Sequence, residues 1–293
     1  MSTLLLRSEP RLRFAVLGPV RVWRDGRPVR LNGVRPRALL AALLLRPNRA
    51  VPLDALVELL WDRDPPASAI ANLRTYATRL RTAICGSPDA GRDRLVTAGG
   101  GYLLRTGPHD VDLHAFTERL RLGRAALAAG APGPAATQLG AALALWRGEP
   151  ASDVPRTPAF ASRLTALDEL RQIAVECHLQ ARLNLGGGAD LVDELRRLTQ
   201  AHPTREALWG QLMLAHYRCG DVATALATYQ RAQATLRSHL GLDPGSELVG
   251  LHRAMLSRDP RLDPRPERSG RTTVDENLRY VRCQHVERHV RQA

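Results

Sequence analysis

Residues 68–84 read Ser-Ala-Ile-Ala-Asn-Leu-Arg-Thr-Tyr-Ala-Thr-Arg-Leu-Arg-Thr-Ala-Ile. At helical spacing its apolar residues fall on one stripe, three and four positions apart, formed by Leu73, Ala77, Leu80 and Ile84. The other side carries Asn, Thr and Arg and no carboxylate. Ser68 is a candidate N-cap, and Pro65-Pro66 prevents a helix from entering from upstream. The stretch therefore predicts an amphipathic helix over residues 68–84.

The polar side of this helix permits two interpretations. Asn72, Thr75 and Arg79 share a stripe with Thr82, and side chains of these types hydrogen-bond to base edges in a DNA major groove. More often, an Arg-bearing polar face of a helix is exposed to solvent and contacts no partner. Features elsewhere in the chain are needed to distinguish DNA contact from simple solvent exposure.

Length and composition limit the class of protein. A chain of 293 residues with 44% hydrophobic and 4% aromatic residues predicts two domains built mainly of packed helices. No apolar run approaches the ~20 residues of a membrane span, and Leu4-Leu5-Leu6 is too short for a signal-peptide core. We expect a cytoplasmic, nucleoid-associated protein with no membrane partner.

The positive charge is unevenly distributed. Residues 1–107 hold 18 Arg against 8 acids, a net charge of +10, whereas residues 108–256 hold 15 Arg against 15 acids and are neutral. The remaining 9 Arg and 6 acids of residues 257–293 give +3. Positive charge confined to one domain indicates a polyanionic partner, and double-stranded DNA is favoured over a membrane surface.

The order of elements around residues 68–84 supports this. Strand-like runs over Arg13–Leu31 are separated by Asp25-Gly26, typical of a hairpin turn, and interrupted by Gly18-Pro19, which predicts a bulge or an edge strand. Two helices follow, one over the Ala/Leu-rich Ala38–Leu45 and one from Val51. After the helix at 68–84, the segment Arg94–Arg105 predicts a β-hairpin around three glycines. Strands, three helices and a hairpin are the order of a winged helix-turn-helix.

No pattern in the chain predicts catalysis, so we expect a protein that is not an enzyme and has no cofactor and no metal. Gly99-Gly100-Gly101 lacks the spacing of a phosphate loop, and the chain has no Lys. His109 and His114 lie near two aspartates but without further converging groups.

The second domain is predicted to be all α-helical over residues 108–256. Residues 205–239 match the tetratricopeptide pattern at several positions, from Trp209 to Ala232, which predicts a stack of helical hairpins. Such stacks bind protein partners or form dimers. Residues 147–158 are predicted as an extended linker, residues 1–12 as a disordered leader and residues 257–293 as a basic, flexible tail.

Several motifs resemble one known family. They include Leu17-Gly-Pro-Val20, Leu73-Arg-Thr-Tyr-Ala-Thr-Arg-Leu-Arg81, Gly101-Tyr-Leu-Leu104, Leu145-Trp-Arg-Gly-Glu-Pro150 and Leu240-Gly-Leu-Asp-Pro244. As a set they are similar to an OmpR-type winged helix over residues 13–107 followed by a bacterial transcriptional activator domain over residues 108–256. This is the arrangement of the Streptomyces antibiotic regulatory protein family in its short form. The resemblance implies an activator of a secondary-metabolite gene cluster that binds promoter direct repeats as a homodimer and recruits RNA polymerase.

Individual residues can be given expected roles. Asn72, Thr75 and Arg79 are expected to contact bases. The residues expected to contact phosphates or to belong to the wing are Arg37, Arg74, Thr78, Arg81, Tyr102 and Arg105. For Tyr102 the alternative is that its ring packs beneath the hairpin. The resemblance implies that the loop from Trp61 to Ser68 contacts RNA polymerase, including its sigma factor, through Asp62, Arg63 and Asp64. Two other functions remain open: a tetratricopeptide-like scaffold for proteins, and a repressor with the same DNA-binding domain.

Overall fold

The structure, a computed structural model, describes residues 10–263. The predicted leader therefore lies outside the described residues except at its end, where Leu12 begins the first strand. The predicted flexible tail lies outside them from residue 264 onward. Among the described helices, none is long and apolar enough to cross a membrane.

The amino-terminal part is a winged helix, as predicted. Its strands are β1 (Leu12–Ala15), β2 (Arg21–Arg24), β3 (Arg27–Val29), β4 (Val51–Pro52), β5 (Leu95–Ala98) and β6 (Gly101–Leu104). Its helices are α1 (Val34–Leu44), α2 (Leu53–Trp61) and α3 (Ala69–Cys85). The first three strands form one antiparallel sheet in the order β1-β2-β3, and the other three form a second sheet in the order β4-β6-β5.

The first sheet differs from the sequence prediction at one place. The turn between β2 and β3 is Asp25-Gly26, as predicted, and both residues have positive φ, 52° and 79°. Gly18-Pro19, however, is not a bulge within a strand. It lies in the loop between β1 and β2, which pair with each other from Leu12↔Arg24 to Ala15↔Arg21.

The three helices are packed by their apolar faces. Every residue of α1 from Ala38 to Leu44 is fully buried, so this helix forms the centre of the core. The second sheet contains a strand that the sequence did not predict. Val51-Pro52, assigned to the start of α2, pairs with Tyr102 and Gly101 of β6, and Pro52 occupies the N-cap of α2.

The remainder of the described chain is helical. The helices are α4 (Asp112–Ala128), α5 (Pro132–Leu143), α6 (Pro158–Asn184), α7 (Ala189–Ala201), α8 (Glu206–Arg218), α9 (Val222–Leu240) and α10 (Ser246–Leu256). A 3-10 turn, Pro260–Leu262, follows. Glycine or proline lies at or just beyond many of their ends, for example Gly130 after α4, Pro158 at the start of α6 and Gly241 after α9.

Two compact units are present in the structure. The first unites the winged helix with residues 108–119 and 141–172, and the second comprises residues 120–140 and 173–263. The domain boundary after residue 107 stays a prediction.

The supposed linker at residues 147–158 is bound to the winged helix within the first unit. The N–H of Arg147 donates to the carbonyl of Leu17 at 2.8 Å, and the N–H of Ala151 donates to that of Val16 at 2.9 Å. The carboxylate of Asp153 accepts the N–H of Val20 at 2.8 Å. This segment is therefore a structural part of the first unit and not a free connection.

The second unit is held by two apolar clusters. One forms around Leu179, Leu191 and Leu212 on α6 to α8, and the other around Met213, Ala225 and Leu248 on α8 to α10. Flexibility was predicted from Ser257, but the described residues to Asp263 are ordered: Leu262 is buried, and its carbonyl accepts from Nε of Arg218 at 3.0 Å. The tetratricopeptide likeness stays a prediction.

Candidate nucleic-acid interface

Helix α3 has the orientation that its sequence predicts. Leu73, Ala77, Leu80 and Ile84 are at most 1% exposed, so the opposite side faces outward. Ser68 stands at the N-cap, but its hydroxyl makes no capping bond to the backbone. Instead its Oγ accepts from Nδ2 of Asn72 at 3.1 Å. One amide hydrogen of Asn72 is thus bonded to Ser68.

The outward face of α3 collects most of the predicted DNA-contacting residues. Arg74, Thr75, Thr78 and Arg79 are exposed, and Asn72 is half-buried. The two threonine hydroxyls donate to the carbonyls four residues earlier, Thr75 to Ala71 and Thr78 to Arg74, each at 3.0 Å. Thr82 does the same to Thr78 at 3.1 Å. The outer face therefore presents Arg and Asn donors beside threonine methyl groups and oxygen lone pairs.

Arg81 belongs to a different set of contacts. Its Nε and Nη2 donate to the carbonyl of Leu95 at 2.9 and 2.8 Å, and Nη2 also donates to Oγ1 of Thr97 at 3.1 Å. The guanidinium lies 5.8 Å from the centre of the Tyr102 ring. The structure thus joins Arg81 to the β5–β6 hairpin, whereas the sequence suggested a phosphate contact.

The hairpin differs from the expectation at one of its two predicted residues. Tyr102 is only 4% exposed, so the alternative in which its ring packs beneath the hairpin is the one observed. Burial raises the pKa of its hydroxyl, although Arg81 and Arg74 act in the opposite direction. Arg105 is exposed, and its backbone N–H donates to the carbonyl of Arg94 at 2.8 Å, at the open end of the hairpin. Arg105 remains available for a phosphate.

Arg37 is not grouped with the α3 residues. Its Nε lies 3.1 Å from a carboxylate oxygen of Asp153, and its Nη1 donates to the carbonyl of Leu31 at 3.2 Å. A guanidinium with a carboxylate partner is a weaker candidate for phosphate binding than an exposed one. Sequence spacing could not have shown this partner, because Asp153 lies in the segment predicted as a linker.

The loop between α2 and α3 is exposed at its tip. Arg63 and Asp64 are exposed, and Asp62 is half-buried with a positive φ of 58°. Trp61 is half-buried rather than part of the core. Its ring is stacked on Tyr76 with centroids 6.2 Å apart, and the guanidinium of Arg35 lies 5.2 Å from its centre. Sequence reasoning did not identify Arg35 and Tyr76 as the supports of this loop, because they come from α1 and α3.

Within residues 10–263, no cluster of three or more His, Cys, Asp or Glu side chains could hold a metal ion. His114, which lies near Asp110 and Asp112 in the sequence, is half-buried. Burial lowers its pKa, against the opposing effects of the Gly107 backbone and of Asp110.

Comparison with known proteins gives the same two parts in the same order. Residues 26–104 match the family model described as transcriptional regulatory protein, C terminal. Residues 111–256 match the model described as bacterial transcriptional activator domain. The two matches divide the chain between residues 104 and 111.

Individual relatives extend the match to most of the chain. It is 41% identical over 251 residues to the regulatory protein AfsR of Streptomyces griseus, covering 86% of this chain but 25% of that protein, so it spans about a quarter of that relative. It is 34% identical over 257 residues to the regulatory protein DnrI of Streptomyces peucetius, covering 86% of this chain and 94% of DnrI.

A solved structure shares the fold. It is that of Mycobacterium tuberculosis EmbR in complex with a low affinity phosphopeptide, with a TM-score of 0.81 and 36% identity over 86% of this chain and 66% of that one. The chain matches the two domain models in series, and it matches relatives such as DnrI over nearly their whole length. It therefore belongs to the Streptomyces antibiotic regulatory protein family.

Proposed function

We propose that this protein is a sequence-specific DNA-binding transcriptional activator whose α3 lies in the major groove. The observation that carries the proposal is the outward face of α3, which is exposed, free of carboxylates and lined by Arg, Asn and Thr. Side chains of these types hydrogen-bond to base edges in the major groove, and the net charge of +10 in residues 1–107 attracts the phosphate backbone.

Within that face, the residues divide by position and chemistry. Asn72 and Arg79 are assigned to base edges, since Asn suits adenine and Arg suits guanine, and Thr75 lies beside them. The exposed Arg74, Thr78 and Arg105 are assigned to phosphates. Arg37, held by Asp153, is retained only as a secondary phosphate contact.

The α2–α3 loop is proposed as the contact with RNA polymerase and its sigma factor. Asp62, Arg63 and Asp64 form a charged tip, and Trp61, supported by Tyr76 and Arg35, holds the start of the loop. A loop that is exposed at its tip and anchored at its base suits a protein partner. We further propose that the chain binds promoter direct repeats of a secondary-metabolite gene cluster, as a homodimer on DNA.

The deciding experiment is a gel-shift and footprinting assay with upstream regions of the neighbouring genes. We expect Arg79→Ala to weaken binding to the protected site by about 5- to 150-fold, since a bidentate Arg–guanine contact contributes about 1–3 kcal/mol of discrimination. Arg171→Ala, a change of an arginine on α6, serves as the control. An Arg79→Ala variant with wild-type affinity and an unchanged footprint would contradict the base assignment.

Transcription in vitro separates the related functions. Added protein should raise the transcript from the protected promoter, and the loop change Asp64→Ala should lower this activation while leaving DNA binding unchanged. A fall in transcript on adding the wild-type protein would indicate a repressor. Failure to retain any upstream fragment would favour a protein-binding scaffold.

A further inference from the structure

Arg81 connects two elements that are separate in sequence. It lies near the end of α3, seven residues after Arg74 and on the same flank of the helix. Whereas Arg74 is exposed, two nitrogens of the Arg81 guanidinium are bonded to the carbonyl of Leu95, the first residue of β5. A third bond reaches the hydroxyl of Thr97 on the same strand. The side chain therefore fixes β5 against α3.

The surroundings of Arg81 are fitted to this conformation. A Cβ placed on Gly91 would lie 2.6 Å from Cβ of Arg81 and 2.7 Å from its Cα, so only glycine permits the chain to pass this close to α3. On the other side, the guanidinium stands over the buried ring of Tyr102, on β6. Contacts from the 86–94 loop, β5 and β6 thus converge on one side chain.

We propose that Arg81 is a positioning residue for DNA recognition, which holds the β5–β6 hairpin at a fixed angle to α3 so that helix and hairpin engage DNA as one body. The inference rests on the proposed function for its DNA-binding part. The bond geometry distinguishes it from a phosphate contact. A planar guanidinium whose Nε and Nη2 both donate to one carbonyl oxygen depends on shape as well as charge, and Lys, a single-point cation, cannot reproduce it.

The first arm of the test needs no DNA. Hydrogen exchange is followed in the full-length wild-type chain, in Arg81→Lys and in the control Arg74→Lys. We expect exchange of the β5 and β6 amides to accelerate on the order of tenfold in Arg81→Lys, because bonds to a charged group are among the strongest in proteins. Exchange in α1 should stay unchanged. Wild-type protection of the hairpin in Arg81→Lys would overturn the proposal.

The second arm measures affinity and footprint on the protected duplex. We expect Arg81→Lys to bind on the order of tenfold more weakly, with protection by the hairpin lost and protection by α3 retained. The control Arg253→Lys, a change of an exposed arginine on α10, should bind within about twofold of the wild-type chain, because it lies outside the proposed DNA contacts. Arg81→Gln, which keeps amide donors but removes the charge, is measured as a second variant, so that the test does not depend on Arg81→Lys alone being folded.

A double-mutant cycle completes the test. If Arg81 acts through the hairpin, Arg105→Ala should cost little further affinity in the Arg81→Lys background, and the two changes should be non-additive. Full affinity of Arg81→Lys, combined with a salt slope lowered by about one in Arg81→Gln, would instead show a phosphate contact. If the wild-type chain binds no DNA, the proposed function fails. Hydrogen exchange alone then decides whether Arg81 holds the β5–β6 hairpin against α3.

Discussion

The threonines of α3 show how a local bond limits what a residue can recognise. Thr75, Thr78 and Thr82 each donate the hydroxyl hydrogen to the helix carbonyl four residues earlier. Their oxygens are then left as acceptors, and the three threonines are exposed, as is Ala71. An A·T pair offers the matching partners, the thymine methyl and the adenine amino group.

We therefore predict that Thr75 favours thymine through its methyl group. Deoxyuridine in place of the contacted thymine should weaken wild-type binding by about fourfold, which corresponds to the free energy of burying one methyl group. Thr75→Ser should bind both duplexes equally, and Thr75→Val should keep the preference for thymine. Thr137→Ser is the control, since Thr137 makes the same bond, to the carbonyl of Gly133, on α5. Equal sensitivity to deoxyuridine in wild type and Thr75→Ser would contradict the prediction.

Asp112 is the second residue from which a prediction follows. Its carboxylate accepts the N–H groups of Val16 and Leu17 at 2.8 to 3.1 Å and pairs with Arg147 at 3.1 Å, with 11% of its side chain exposed. Asp112→Ala leaves two backbone donors without an acceptor, so the free energy of unfolding in urea should fall by about 2–4 kcal/mol. Asp89→Ala removes an ion pair to Arg92 from a side chain that is 85% exposed. That control should change stability by less than about 0.5 kcal/mol.

At the scale of elements, the helices were predictable because their signals are local. Apolar spacing, Pro65-Pro66 and Gly86 fix α3 at Ala69–Cys85, one residue from the predicted span. The strand β4 was missed because its two residues become a strand only by pairing with β6, about fifty residues away. Pairing between distant segments leaves no periodicity in so short a strand.

The candidate site was predictable where it depends on local spacing within α3, and not where it depends on contacts between distant segments. The exposed face of α3 follows from periodicity alone. The partners of long side chains do not, since Arg81, Arg37 and Tyr102 meet groups brought together by tertiary packing. These three were assigned to phosphates or the wing from charge and position, which could not show whether a partner occupied them.

A glycine tests the contact between the β1–β2 loop and the 147–158 segment. Gly18 has a φ of +144°, and a Cβ there would lie 2.9 Å from Cβ of Arg147. Gly18→Ala should therefore lower the free energy of unfolding by about 1–3 kcal/mol. Gly133→Ala, in α5 with nothing within 4 Å of the added atom, should raise it by up to about 1 kcal/mol. Equal effects of the two changes in urea unfolding would show that the segment is not packed there.

At the scale of the whole molecule, four histidines that are half-buried or buried couple stability to pH. Burial lowers the pKa of His178, His216 and His252 in the second unit, and of His114 in the first, from the ordinary value of 6.5. Nδ1 of His178 is buried without a hydrogen-bond partner among the described residues. Protonation of these rings would place charge where solvation is poor.

The sign of the effect follows from proton binding. Since the folded pKa values lie below 6.5, the unfolded chain binds more protons as the pH falls through 6.5. The contribution of these histidines to stability is thus complete above that pH and is lost below it. Asp112 and Asp168 act oppositely, because burial raises their pKa values from 3.8.

We predict a melting temperature that falls between pH 7.5 and pH 5.5, with a shallower fall in His178→Gln. A melting temperature that rises over this interval in the wild-type chain, or an equal slope in His178→Gln, would contradict the assignment.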